Sequence, residues 1–323
     1  MTISQQEATW FAQTFANLVA NVEQAVLGKH EAIELAVTCL LSDGHLLLED
    51  VPGTGKTSLA KSLANTVHGS QSRVQFTPDL LPSDVTGATI FNQRTSEFEF
   101  HPGPVFATIV LVDEVNRASP KTQSALLEVM EEGKVTVDGQ RHDVGYPFMV
   151  IATQNPVEQA GVYPLPEAQL DRFLLRTSLG YPDHDTTVAL LATASIKDRS
   201  ATVEPLITAD MVGQMAAMAA QVHVDPAVLS YITRLAERTR TSPLTALGVS
   251  TRALLSLTRT AKTWALAHGR SYVTPDDVKV LVPPVFGHRI KLSPDAEFGG
   301  TTTNDLLLEI LADEQPPMDR AGG

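Results

Sequence analysis

From Leu46 to Val67 the chain passes from three consecutive leucines, through Glu49-Asp50-Val51-Pro52-Gly53-Thr54-Gly55-Lys56-Thr57-Ser58, into a segment with Leu59, Ala60, Leu63, Ala64 and Val67 on one helical face. Nothing else in the sequence restricts the fold as strongly. A short apolar strand, a glycine turn and an amphipathic helix, in that order, predict a strand that feeds a helix packed on a sheet. Gly53 and Gly55 let successive backbone N–H groups turn inward at a helix N-terminus, whose dipole also favours anions. Lys56 is then placed to reach the β- and γ-phosphates of a nucleotide, and the Thr57 hydroxyl to ligate magnesium. The segment therefore reads as a loop for ATP and Mg2+ with contacts from Pro52 to Ser58, the alternative being a plain glycine turn. The full pattern G-x-x-x-x-G-K-[ST] has glycine where this chain has Asp50. Asp tolerates turn conformations, so the loop is expected to remain competent.

The rest of the chain agrees with a sheet protein of more than one domain. Its 323 residues exceed the prior of about 150 per domain. Short apolar runs at Leu46-Leu47-Leu48, Val74/Phe76, Ile109-Val110-Leu111-Val112, Met149-Val150-Ile151 and Phe173-Leu174-Leu175 alternate with helical or loop segments. Continuous apolar strands imply a parallel sheet covered on both faces. Two helices precede it, over Glu7 to Leu27 and about His30 to Leu41. Past Gly180-Tyr181-Pro182-Asp183 the strand signals stop, and helices are expected around Thr187 to Ile196, Ala209 to Val222, Ala227 to Thr239, Thr251 to His268 and Pro275 to Val282. The expected division is an α/β domain over 1–182 and a helical domain over 183–323, ending in a disordered or partner-contacting tail from Gln315. Met211, Met215 and Met218 form a stripe that reads as core packing.

Charge and cysteine usage narrow the function classes. With 24 Lys and Arg against 37 Asp and Glu the net charge is −13, which argues against sequence-independent binding to nucleic-acid backbones. Cys39 is the single cysteine and lies in an apolar stretch, so it reads as a buried thiol in a reducing compartment. The N-terminus has no basic signal region and no run approaches the roughly 18 apolar residues of a membrane span. The chain is expected to be soluble and cytoplasmic, with no membrane insertion.

A second chemical signal follows the Ile109 to Val112 run, which ends in Asp113-Glu114. Ligands of parallel sheets bind at the carboxyl edge, which puts this pair beside the phosphate loop. Asp113 would hold magnesium through its water shell and Glu114 would polarise the attacking water, the alternative being a solvated strand end. The strand from Met149 ends in Thr153-Gln154-Asn155-Pro156. Here a polar amide could orient the water, or the segment could be a simple Asn-Pro turn.

Together these residues resemble the AAA+ ATPases, and several stretches resemble the MoxR family in particular. The matching blocks are Gln75 to Asp84, His101 to Phe106, Asp113 to Ala118, Ala152 to Pro156, Tyr163 to Phe173 and Tyr272 to Val278. The resemblance implies a P-loop NTPase with a five-stranded parallel sheet flanked by helices, an all-helical lid, and a homo-oligomeric ring, usually a hexamer, with ATP between subunits. It also implies roles: Asn155 as sensor 1, Arg252 as sensor 2, Arg172 as the arginine finger offered to a neighbour, and Val26-Leu27-Gly28 along the adenine. Arg172 could instead make a surface salt bridge, with Arg117 the next candidate, and Arg252 could be an ordinary helix residue.

Two inserted hairpins are expected, one from Ala88-Thr89-Ile90-Phe91 and Glu97-Phe98-Glu99-Phe100, the other around Asp138-Gly139. In the branch that holds MoxR proteins, magnesium chelatase motors and some helicases, such insertions face the pore or the client. The leading reading is a MoxR-like ATPase that remodels or matures client proteins, often with a von Willebrand factor A domain partner. A metal-chelatase motor, a DNA helicase or loader, and a nucleotide-gated scaffold with little turnover are the alternatives.

Overall fold

The computed structural model describes residues 3–155, 161–193, 195 and 198–317. They form two compact units: Asn17–Phe173 with Thr177–Gln214, and Met1–Ala16 with Leu174–Arg176 and Met215–Gly323. The first unit holds the end of α1 (Gln5–Glu23), then α2 (His30–Leu41), β1 (Leu46–Glu49), α3 (Lys56–Thr66) and β2 (Gln71–Gln75). It continues with α4 (Pro82–Thr86), β3 (Gly87–Asn92), β4 (Glu97–Pro102), β5 (Ile109–Asp113) and α5 (Pro120–Glu132). Then follow β6 (Lys134–Val137), β7 (Gln140–Asp143), β8 (Met149–Gln154), α6 (Glu167–Leu170), α7 (His184–Ala192) and the first half of α8 (Ala209–Ala220), while β9 (Leu175–Thr177) is divided between the two units.

The five-stranded sheet has the order β2-β5-β8-β1-β9. Strands β2, β5, β8 and β1 pair in parallel, with Val74 opposite Val112, Val110 opposite Val150 and Leu47 opposite Ala152. Every residue of β5 is buried, as are Leu46 to Leu48 and Met149 to Thr153. That is why these strands read as unbroken apolar runs rather than alternating ones. The order brings the carboxyl ends of β5, β8 and β1 side by side, and there the buried runs turn polar, at Asp113, Thr153 and Asp50. Under one face Val112, Val115, Leu126, Leu127, Val150 and Phe173 belong to one buried cluster. Cys39 is fully buried.

Both hairpins form. Strands β3 and β4 pair antiparallel from Gly87↔Pro102 to Asn92↔Glu97, and β6 and β7 from Lys134↔Asp143 to Val137↔Gln140. Asp138 and Gly139 take φ of 49° and 78°, the two left-handed residues that a tight hairpin turn requires. The Phe91 and Phe98 rings lie 5.2 Å apart near the tip of the first hairpin. Phe100 stacks on His142 of the second hairpin with ring centroids 3.9 Å apart.

The stretch from 183, read from the sequence as the start of the lid, lies through residue 214 in the same compact unit as the sheet. Leu206 and Ile207 donate their N–H groups to the Thr66 carbonyl at 2.9 and 3.2 Å, and Asn65 Nδ2 donates to Ser200 O at 2.9 Å. The second unit carries α9 (Pro226–Thr241), β10 (Thr245–Leu247), α10 (Thr251–Ala267), α11 (Pro275–Phe286), β11 (Lys291–Leu292), α12 (Pro294–Phe298) and α13 (Thr303–Asp313). Tyr231, Leu235, Leu257, Ala261, Leu281 and Val285 are fully buried within it. To the expected helices it adds an antiparallel ribbon of β10 and β11, whose strands are too short to show a period-two pattern. Pro156, Ile196 and the tail beyond Pro317 lie outside the described residues. Among the described residues no helix is long and apolar enough to cross a membrane.

Candidate nucleotide site

The loop between β1 and α3 is shaped by two glycines with left-handed backbone, Gly53 at φ 86° and Gly55 at φ 99°. A Cβ at either position would meet no atom within 4 Å, so it is the backbone conformation, not crowding, that selects glycine. Gly55 is the N-cap of α3, and no side chain caps that helix start. The first-turn N–H groups of α3 are thereby left for an anion. Lys56 Nζ donates to the Val51 carbonyl at 2.8 Å, folding over the loop, and the Thr54 hydroxyl donates to the same oxygen at 3.4 Å.

Asp50 does something other than turn. Its backbone is not among the left-handed residues. Its side chain is 6% exposed, with Oδ2 accepting the Leu179 N–H at 2.6 Å and Oδ1 the Gly180 N–H at 2.8 Å. The expectation that Asp serves here through turn tolerance is corrected: it serves as a buried acceptor.

Opposite the loop stand the ends of β5 and β8. Thr153, 2% exposed, joins them: its hydroxyl donates to Asp113 Oδ1 at 3.3 Å and accepts the Glu114 N–H at 3.0 Å. Asp113 Oδ2 accepts from Arg73 Nε of β2 at 2.7 Å. Glu114 sits at φ 58°, ψ 51°, a left-handed conformation for a non-glycine residue, which marks a locally strained position at the head of the cleft. Its Oε2 accepts from Gln75 Nε2 at 2.6 Å and lies 3.2 Å from Arg117 Nε. Gln123, buried on α5, braces this turn by donating to Val115 O at 3.1 Å and Tyr163 O at 2.9 Å.

One cleft is lined by Asp50, the run from Pro52 to Ser58, Arg73, Gln75, Asp113, Glu114, Thr153 and Asn155. It brings together the expected phosphate loop, acidic pair and sensor 1 residue. The other expected residues stand outside that lining. Val26 is buried, Leu27 half-buried and Gly28 exposed, directly ahead of α2. Arg172 is held by an ion pair from its Nε to Glu131 Oε2 of α5 at 2.8 Å, so the surface salt bridge weighed from sequence is present. Arg252 is exposed at the second position of α10, in the other compact unit. Arg73, Gln75 and Thr153 were not singled out from sequence; the polar end of β8 was the one signal that pointed at Thr153.

The donor set suits a nucleotide with a hard divalent ion. Thr57, in the first turn of the uncapped helix, and Asp113, at the end of β5, both line the cleft with oxygen ligands. Among the described residues no group of three His, Cys, Asp or Glu side chains could cage a metal, so an ion here would share its shell with phosphate and water.

Residues 45–175 match the model of the ATPase family associated with various cellular activities (AAA), and residues 237–310 match the AAA lid domain. The chain is 45% identical to the uncharacterized protein YeaC of Bacillus subtilis, over 94% of this chain and 95% of the relative. It is 40% identical to the chaperone MoxR1 of Mycobacterium tuberculosis, over 88% of this chain and 77% of the relative. A crystal structure of a candidate ATPase from Cytophaga hutchinsonii superposes with a TM-score of 0.90 at 36% identity, covering 97% of this chain and 98% of that one.

Proposed function

The chain belongs to the MoxR family of AAA+ ATPases, and from that premise we propose that it binds ATP with magnesium in this cleft and hydrolyses it to remodel or mature client proteins. The observation that carries the reading is Thr153, which holds Asp113 and Glu114 together across the cleft from Lys56 and Thr57. Loop N–H groups and Lys56 bind the phosphates. Thr57 and Asp113 are the residues that would hold a magnesium ion, which would supply positive charge to the phosphates when bound. Glu114 accepts the proton of the attacking water, and Asn155 orients that water. Val26 to Gly28 lie along the base.

In this reading Arg172 leaves Glu131 to reach the nucleotide of a neighbouring subunit in a ring, read as a hexamer, and Arg252 acts from the lid. A von Willebrand factor A domain protein is the expected partner and the cytoplasm the expected location. The test is phosphate release by the wild type and by Glu114→Gln, followed by capture of partners on the Glu114→Gln protein in ATP. Turnover that the substitution abolishes supports the motor; ATP-dependent assembly without turnover would replace it with a nucleotide-gated scaffold.

A further inference from the structure

Where the phosphate-loop pattern has its first glycine, this chain has a carboxylate buried to 6% exposure. A carboxylate withdrawn from water needs donors, and Asp50 has them in two consecutive amides, Leu179 N at 2.6 Å and Gly180 N at 2.8 Å. Its own N–H donates to Gln154 O of β8 at 3.2 Å. The segment that supplies those amides continues toward the residues read as lying along the base. The Tyr181 carbonyl accepts from Lys29 Nζ at 2.7 Å, and the Thr186 hydroxyl stands 2.5 Å from where a Cβ on Gly28 would fall. One short stretch, 179–186, is therefore fastened to the phosphate loop at one end and packed on 28–29 at the other.

We propose that Asp50 is a positioning residue for the nucleotide: its carboxylate fixes the entry of the phosphate loop against Leu179 and Gly180, and the 179–186 segment follows the loop's occupancy. The proposal rests on the cleft being an ATP site. Gly53 and Gly55 leave the remainder of the loop free to relax, and a loop fixed in advance loses less conformational freedom when the phosphates bind. The same fastening makes the two amides a reporter of the loop, because a shift of Asp50 must lengthen or shorten their hydrogen bonds.

Asp50→Gly separates the possibilities, since it restores the residue that the general pattern prefers. ATP with magnesium is titrated into wild type, Asp50→Gly and Asp50→Asn by calorimetry, with hydrogen exchange at Leu179 and Gly180 followed with and without ATP. Asp50→Gly is expected to bind about tenfold more weakly or worse, as loss of a charge-assisted bond implies, with faster exchange at both amides and no response to ATP. Asp50→Asn, which keeps the size and one acceptor, is expected to fall between. Wild-type affinity in Asp50→Gly, or a lowered melting temperature with unchanged affinity, overturns the proposal. If Asp50→Gly does not fold, unchanged affinity and exchange in Asp50→Asn overturn it equally. A wild type that does not bind ATP overturns the functional reading itself.

Discussion

The side-chain amide of Gln75 donates to Glu114 Oε2 at 2.6 Å, on the oxygen that also lies 3.2 Å from Arg117 Nε. Two contacts on one oxygen leave an attacking water to compete for the same lone pairs. Removing one donor frees that oxygen for the water. Gln75→Leu is expected to raise the ATP turnover number a few-fold with little change in KM, read from steady-state phosphate release; an unchanged or lower turnover number would show that Gln75 does not restrain Glu114.

Lys56 bonds to its own loop, Nζ to Val51 O at 2.8 Å, and a phosphate would replace that weak partner with a strong one. Lys56→Ala is expected to lose ATP affinity by at least about tenfold, because a charge-assisted contact is worth roughly twice a neutral one. Calorimetry with ATP and magnesium measures it, and retained affinity would place the nucleotide elsewhere.

Glu114→Gln keeps the size of the side chain and its acceptor oxygen but removes the base. It should bind ATP nearly as the wild type does while hydrolysing it about 10²- to 10⁴-fold more slowly, the usual contribution of general-base catalysis. Single-turnover kinetics separate that loss from a change in binding.

Arg172 is paired with Glu131 at 2.8 Å, and a partly exposed ion pair of this kind is worth at most about 1 kcal/mol. In the proposed ring a phosphate of the neighbouring subunit's nucleotide would therefore compete for it. Arg172→Ala should bind ATP and barely turn over. Mixed with Glu114→Gln under conditions that exchange subunits, it should regain activity, since one intact Glu114 site then meets one intact Arg172. No recovery in demonstrably mixed oligomers would move the role to Arg117.

Gly28 combines a left-handed φ of 68° with the Thr186 hydroxyl 2.5 Å from any Cβ. Gly28→Ala is expected to lower the melting temperature and weaken ATP binding, the backbone component alone being about 1–2 kcal/mol. Adding Thr186→Ala should recover the steric part and leave the backbone part.

The strands were legible because burial on both faces turns β1, β5 and β8 into apolar runs that a short window detects. The last strand was displaced: Phe173-Leu174-Leu175 is the apolar run, but pairing covers Leu175–Thr177, since Phe173 belongs to the core ahead of the strand. At the site, Lys56, Thr57, Asp113, Glu114 and Asn155 could be named because each sits in a local pattern. Arg73 and Gln75 could not. What brings them to the cleft is the register of β2 on β5, with Gln75 opposite Asp113, a relationship between segments nearly forty residues apart. Asp50 was visible only as an exception to a pattern, and its acceptor role needed the position of residues 179 and 180.

The stacked rings of Phe100 and His142, 3.9 Å apart, tie the two hairpins to each other. Phe98, 74% exposed at the outer end, is where a pull would enter. Beyond His142 the pull passes to β6, and β6 follows α5 after the single residue Gly133. That helix carries Glu131, the holder of Arg172. The outer hairpin thus has a short route, through one ring stack and one ion pair, to Arg172, and under the proposed function a load on Phe98 would reach the arginine offered to a neighbouring nucleotide.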